Sequence, residues 1–343
     1  MSPQVSPAME QRNRASSLNA TVETGIAVRS KIWMPYGDII LQVVSTQFRV
    51  NRDVLAKHSS VFRDLFSVPQ PVNEPTTDGC HTVQLYDNAD DWAELLAVLY
   101  EPFQRRSRPQ FNTLAAMLRL GKKYDFLQPQ QDAVSRIRYE FPSDFKAFND
   151  LEADMTKIKY RRGIYCDLLN LAFECGIYSS VPLLAFCCLR ENTLEALFEG
   201  VERDDDSRVT FSGELKINLA LAFGKMALFQ HRVLCWLRND SVVPGRSCPS
   251  ATRCTQQRNA MACVVDRDHG GQFNLGYTID QWDERWTGML CPVCEETAVA
   301  FYELNRAKGW ELLPTFFGLA GWKDLKDDVD EFSTPCYAGF YDC

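Results

Sequence analysis

The sequence predicts an α+β unit, then a mainly α-helical unit, then a small Cys-rich C-terminal segment. Three observations predict this order. First, β-branched and apolar runs at 37–50 and 82–86 alternate with short amphipathic helical patterns as far as about residue 127. Second, from 129 to 238 the apolar residues recur almost purely at the 3.6-residue helical period. Third, that texture ends near Pro244, and five of the thirteen cysteines fall between Cys248 and Cys294.

Residues 1–30 are rich in Ser, Asn, Gln and Arg and hold no apolar h-region, so they read as a disordered leader. The α+β unit follows over 31–128. Gly37 to Val44 and Thr46 to Val50 predict a hairpin, and 53–66 predicts two short helices broken near Ser59-Ser60. The segment 67–81 carries Pro69, Pro71, Pro75, Asn73 and Gly79, which is loop chemistry, before a strand at Thr82 to Tyr86. Asp87 to Asp91 supply caps for a helix over 91–100 that sets Trp92, Leu95, Leu96 and Leu99 on one face. A further helix runs from Asn112 to Tyr124 and breaks at Leu127-Gln128-Pro129.

The helical unit, 129–243, is read as helices at 129–140, 165–176, 181–199 and 214–238, with the acidic run Glu202 to Asp206 as a solvated loop. There is no regular internal repeat. The last unit, 244–343, combines the cysteines, an irregular stretch at 270–276 and a helix over about Glu295 to Trp310. Beyond it, Trp310, Phe316, Phe317, Trp322 and Leu325 form an aromatic-rich tail expected to pack back on the body, with Lys326-Asp327-Asp328 left outside.

Charge and hydropathy narrow the function. With 37 Lys+Arg against 45 Asp+Glu the net charge is -8, which argues against nonspecific nucleic-acid binding as the main role. The short basic runs Arg105, Arg106, Arg108 and Lys157, Lys159, Arg161, Arg162 read as solvated faces. The longest apolar stretch, Val181 to Leu189, is far short of the roughly 18 residues a membrane span needs. Without a signal peptide the expected location is the cytoplasm or nucleus, where thirteen cysteines are thiols or metal ligands and not disulfides.

The cysteine spacing carries the one candidate site. A structural zinc ion takes four soft ligands in a tetrahedron, usually as two close pairs. Cys291-Pro292-Val293-Cys294 is such a pair, and Cys248 with Cys254 is the candidate second pair; Cys263, His231 or His269 are substitutes. Three readings stand side by side: one structural zinc on Cys248, Cys254, Cys291 and Cys294, reduced thiols without metal, and a redox dithiol just before a helix. The other cysteines, Cys187-Cys188 among them, lie in apolar helix patterns and read as core. No nucleophile-elbow, phosphate-loop or zinc-protease motif is present. His58, in a helix pattern, and His81, beside a strand, read as structural, so no catalytic or cofactor-binding residue is assigned.

Residues 36–127 also resemble a BTB/POZ domain, particularly the type abundant in mushroom-forming basidiomycete fungi. The residues that carry the resemblance are Gly37-Asp38-Ile39-Ile40-Leu41, Phe48-Arg49-Val50, Leu55, Ser59, Val61, Phe62, Asp64, Phe66, Pro69-Gln70-Pro71, Gly79-Cys80, Val83-Gln84-Leu85, Asp91-Trp92, Leu95-Leu96 and Leu99-Tyr100. The C-terminal Trp310 to Leu319 looks like the tail of the same fungal group. The resemblance implies a small mixed sheet flanked by helices and a non-catalytic protein-interaction scaffold that often homodimerises. Family dimers bury an N-terminal segment, and Ile26 to Met34 is the candidate for that part. In some branches the domain is instead a substrate adaptor for a cullin-type ubiquitin ligase, and Val72-Asn73-Glu74 fits that branch's short pattern loosely. Asp38 can bind nearby backbone or Arg52, but Asn51 stands where the family commonly has a histidine, so a charged pocket of that type is altered. An enzyme with a scattered site is the alternative from another class; it calls for a deep polar pocket with perturbed titratable groups.

Overall fold

The computed structural model describes residues 27–68, 76–101, 108–268 and 274–331. The first unit is built on a five-stranded sheet of β1 (Val28–Trp33), β2 (Ile39–Val43), β3 (Thr46–Val50), β4 (Thr76–Thr77) and β5 (Cys80–Leu85), in the order β1-β3-β2-β5-β4. It is a mixed sheet. The hairpin β2–β3 and the pair β4–β5 are antiparallel, whereas β1–β3 and β2–β5 run parallel. Gly37 leads into β2 because nothing larger fits: a Cβ there would stand 2.9 Å from the Val50 carbonyl oxygen. The strand β1 begins at Val28, inside the stretch whose composition reads as leader; Arg29, Ser30 and Lys31 hide a strand whose only β-branched residues are Val28 and Ile32.

Helices α1 (Arg52–His58), α2 (Ser60–Ser67), α3 (Ala89–Tyr100) and α4 (Phe111–Tyr124) complete this unit, and α5 (Leu127–Glu140) leads out of it. The expected break at Ser59 is a cap: its hydroxyl accepts from the Phe62 amide at 3.0 Å and donates to the Tyr124 carbonyl at 2.5 Å. Phe62 then enters an aromatic cluster, with ring centroids 5.8 Å from Trp92, 5.4 Å from Tyr124 and 5.9 Å from Phe126. The amphipathic face of α3 closes over it by burying Trp92, Leu95, Leu96 and Leu99.

The second unit holds α6 (Phe145–Asn149), α7 (Ile164–Cys175), α8 (Val181–Glu191), α9 (Leu194–Glu199), the short pair β6 (Val201–Glu202) and β7 (Arg208–Val209), and α10 (Gly213–Val233). The helix expected over 181–199 is two, because Thr193 caps a new one by accepting from the Ala196 amide at 3.0 Å. The C-terminal unit holds α11 (Ala251–Asp268), α12 (Pro292–Phe316) and α13 (Asp328–Glu331). Helix α11 covers a stretch to which the sequence reading assigns no element. Its buried positions, Cys254, Arg258, Met261, Ala262 and Val265, keep a helical spacing, but only Met261 and Val265 are large apolar residues. Helix α12 passes close under the 275–279 loop, where a Cβ on Gly309 would lie 2.4 Å from the Thr278 carbonyl oxygen.

The aromatic tail does pack back: Trp322 stacks on Trp310 at 5.0 Å and donates its indole N–H to the Trp310 carbonyl at 2.7 Å, and Phe148 stacks on the other side at 4.7 Å. Asp327, expected outside, is buried. A lone buried carboxylate is costly, and this one is satisfied: it accepts from the Ser179 amide at 2.6 Å, the Ser179 hydroxyl at 2.7 Å and Arg138 Nε at 2.9 Å. One connected apolar core runs from the sheet to α12.

Candidate functional site

The four cysteines singled out by spacing converge. Cys248 lies in the loop before α11, Cys254 in the first turn of α11, Cys291 at the N-cap of α12 and Cys294 one turn further on. Their four Sγ atoms lie within 4.8 Å of one another, and Cys248 Sγ is 3.6 Å from Cys291 Sγ. A tetrahedral zinc with Zn–S near 2.3 Å sets its sulfurs about 3.8 Å apart, so the cluster has the right dimensions. Pro292 starts α12 at a position that needs no amide donor, which points the first turn at the centre.

The electrostatics suit thiolates. Backbone amides donate to three of the sulfurs: Gly245 to Cys294 at 3.4 Å, Ser250 to Cys248 at 3.4 Å and Cys291 to Cys254 at 3.3 Å. The Cys294 amide, with the neighbouring thiols, brings the Cys291 thiol down to about 7. Burial first, and the neighbouring thiols after it, push Cys254 up and Cys294 up to about 12. A dication at the centre removes that penalty. Cys254 and Cys294 are fully buried and Cys248 is half-buried. Cys263 and His231 are exposed and stand apart from the cluster, and His269 lies outside the described residues.

The sequence reading missed the aromatic group of the same unit. Trp236 stacks on Trp282 at 5.3 Å, Tyr277 on Trp286 at 5.5 Å, and Trp282 meets Trp286 edge-on at 5.1 Å. The indole N–H groups of Trp236, Trp282 and Trp286 are buried without a hydrogen-bond partner among the described residues. Only the bare count of tryptophans between 236 and 286 hinted at it.

In the first unit, Asp38 accepts from the Arg52 amide at 2.8 Å, as its place at a strand start suggested. Asn51 is not an empty substitute for a histidine. Its amide N–H donates to the Tyr100 hydroxyl at 2.9 Å, its Oδ1 accepts from that hydroxyl at 3.2 Å, and its Nδ2 donates to the Tyr36 carbonyl at 3.0 Å. Burial pushes the Tyr100 hydroxyl up, so it stays a neutral donor.

Three of the four cations of the second basic run have partners. Arg161 reaches Asp167 at 2.6 Å, Arg162 reaches Glu202 at 2.9 Å, and Lys157 lies over the Tyr139 ring at 4.7 Å. Arg108 donates to the Met155 carbonyl at 3.0 Å, whereas Arg105 and Arg106 lie outside the described residues. So do Pro69-Gln70-Pro71 and Val72-Asn73-Glu74. His58 ends α1 and His81 sits in β5. No helix of the described residues is long and apolar enough to cross a membrane.

No curated protein matches the chain. The mixed sheet with its paired helices does have a counterpart: residues 33–138 match the family model of the BTB/POZ domain, and over that span the chain carries a BTB/POZ domain.

Proposed function

We propose that the chain is a non-catalytic protein-interaction scaffold, in which the BTB domain presents the docking surface and self-associates, and one structural zinc ion on Cys248, Cys254, Cys291 and Cys294 fixes the C-terminal helices. The observation that carries the scaffold reading is the BTB match over 33–138 on a fold with one connected apolar core. Buried thiols outside the cluster point the same way: burial pushes Cys188 well up, Cys175 up to about 12 and Cys187 up to about 11, which makes them inert and not nucleophilic. Self-association is favoured by β1, an end strand of the sheet whose Val28 is 61% exposed. The zinc reading rests on the fit of four sulfurs to one tetrahedron, with no position left open for a substrate. A thiol-rich chain of this kind belongs in a reducing compartment, the cytoplasm or nucleus.

Native mass spectrometry of protein purified without chelator tests both parts at once. A dimer with one zinc per chain is the expected result; a monomer at tens of micromolar overturns self-association, and far less than one zinc per unoxidised chain overturns the metal centre. Cullin capture separates the scaffold from the adaptor: binding to a cullin that weakens when Glu74 is replaced makes the chain an adaptor.

A further inference from the structure

Helix α10 presents an apolar seam to solvent. Its inner face buries Leu219, Ala222, Met226, Phe229 and Val233 against the body. On the outer face Ile217 is 58% exposed, Leu221 58% and Leu228 77%. With the exposed Gly224 and His231 these residues repeat at intervals of four, three, four and three, the spacing of the contact positions in a two-helix coiled coil. That narrow stripe differs from the wider apolar face a helix turns toward a globular core, and here the core face is already filled. At 21 residues the helix is about 30 Å long, enough for three heptads.

The flanks say what kind of helix fits. One side of the seam carries Asn218, Lys225 and Arg232; the other carries Gly213, Ala220 and Ala227. Lys225 reaches the Phe316 carbonyl at 3.3 Å and Arg232 lies 5.8 Å over the Phe229 ring, so both cations rest on neutral groups. A second copy of the chain is a poor partner. Antiparallel pairing would set the cationic flanks against each other, and parallel pairing would set them against alanines and stack His231 on His231. A helix with carboxylates along its flank meets Lys225 and Arg232 with opposite charge, and Gly224 leaves room for a large side chain in its seam.

We infer that α10 is a docking ridge for an amphipathic helix of another protein, with branched or linear aliphatic residues in its seam and Glu or Asp on its flanks. The ridge lies outside the BTB domain and stands independently of the scaffold and zinc readings.

Anisotropy titrations of the full chain with two labelled 21-residue helical peptides test it, both with leucine seams, one flanked by Glu and the other by Lys. The Glu-flanked peptide is expected to bind about tenfold more tightly or better, from two favourable charge contacts against two unfavourable ones. Lys225→Glu with Arg232→Glu reverses the preference. Leu221→Asp with Leu228→Asp abolishes binding while the circular dichroism spectrum and Tm stay unchanged, since both side chains face solvent. Equal binding of the two peptides, binding of neither, or binding that survives Leu221→Asp with Leu228→Asp overturns the inference. A dimer in light scattering that this same double variant dissolves overturns it in favour of a second copy, and capture by phosphatidylserine vesicles in place of the peptides overturns it in favour of a membrane surface.

Discussion

The BTB domain and the C-terminal unit each bury a cluster of large aromatic rings, and they treat the polar tips of those rings differently. Around Phe62, the Trp92 indole donates to Asp87 at 3.2 Å and the Tyr124 hydroxyl donates to the same carboxylate at 2.6 Å, so one acid satisfies both. Around Trp286, three indole N–H groups find no partner among the described residues, and the 274–291 segment that carries Tyr277, Trp282 and Trp286 is largely irregular. Buried unsatisfied donors cost free energy, and long irregular segments cost conformational entropy. A region built that way needs a cross-link from elsewhere, and the four cysteines tie its loop, α11 and α12 at one point. The first region satisfies the polar tips of its ring cluster from within; the second leaves them unpaired and brings four thiols together beside them.

The largest expected effect breaks the second region alone. Chelation, or Cys254→Ser, tests the proposed zinc centre, whose class contributes on the order of 10 kcal/mol to folding. The expected outcome is early proteolysis within 244–331 and loss of the near-ultraviolet signal of Trp236, Trp282 and Trp286, while the BTB domain still melts cooperatively. Cys263→Ser, on an exposed thiol, leaves the thermal profile unchanged. A single transition that chelator does not move would mean that the two regions are held alike.

Next in size is Trp92→Ala, which opens a cavity among Phe62, Tyr124 and Phe126 and is expected to cost about 3–5 kcal/mol in urea unfolding. Its effect belongs to the BTB domain and adds to metal removal, because the sites share no partner.

Asp87 sharpens the contrast through pH. Burial alone would raise its carboxyl, but hydrogen bonds from Lys123, Tyr124 and Trp92 outweigh this and hold it below the ordinary 3.8. A depressed folded value means stability that is present above pH 3.8 and lost as pH falls through the folded value. Asp87→Asn is therefore expected to cost about 1–3 kcal/mol at pH 7, with the gap from the parent closing in acid. A gap that stays constant down to the acid transition would refute the role of the charge. The smallest effect is Ser59→Ala, about 1 kcal/mol from loss of the α2 cap, read from the denaturant midpoint.

Much of this was legible in the residues because the forces involved are local. The hairpin, the Ser59 break and the faces of α3 and α4 follow from periodicity and caps that lie within a few positions of one another. The four cysteines were legible for a similar reason: Cys291 and Cys294 announce a pair, and only the approach of Cys248 and Cys254 across 37 or more residues needed the fold. What escaped was carried by long-range satisfaction. Asp327 reads as solvated until Arg138 and Ser179 are seen around it. Helix α11 hides because Arg258, Cys254 and Ala262 do the work usually left to Leu and Ile. Tyr100 looks like the end of an amphipathic helix until its hydroxyl is found bonded to Asn51.

The Asp327 contact also orders events in time. Its carboxylate bonds to Arg138 on the helix leaving the BTB domain and to Ser179 ahead of α8, residues made almost 190 and almost 150 positions earlier. A chain emerging vectorially from a ribosome folds its BTB sheet from neighbours in sequence, but the seam between that domain and α8 waits for residue 327 to leave the exit tunnel. Until then the Ser179 amide and the Arg138 guanidinium lack that carboxylate.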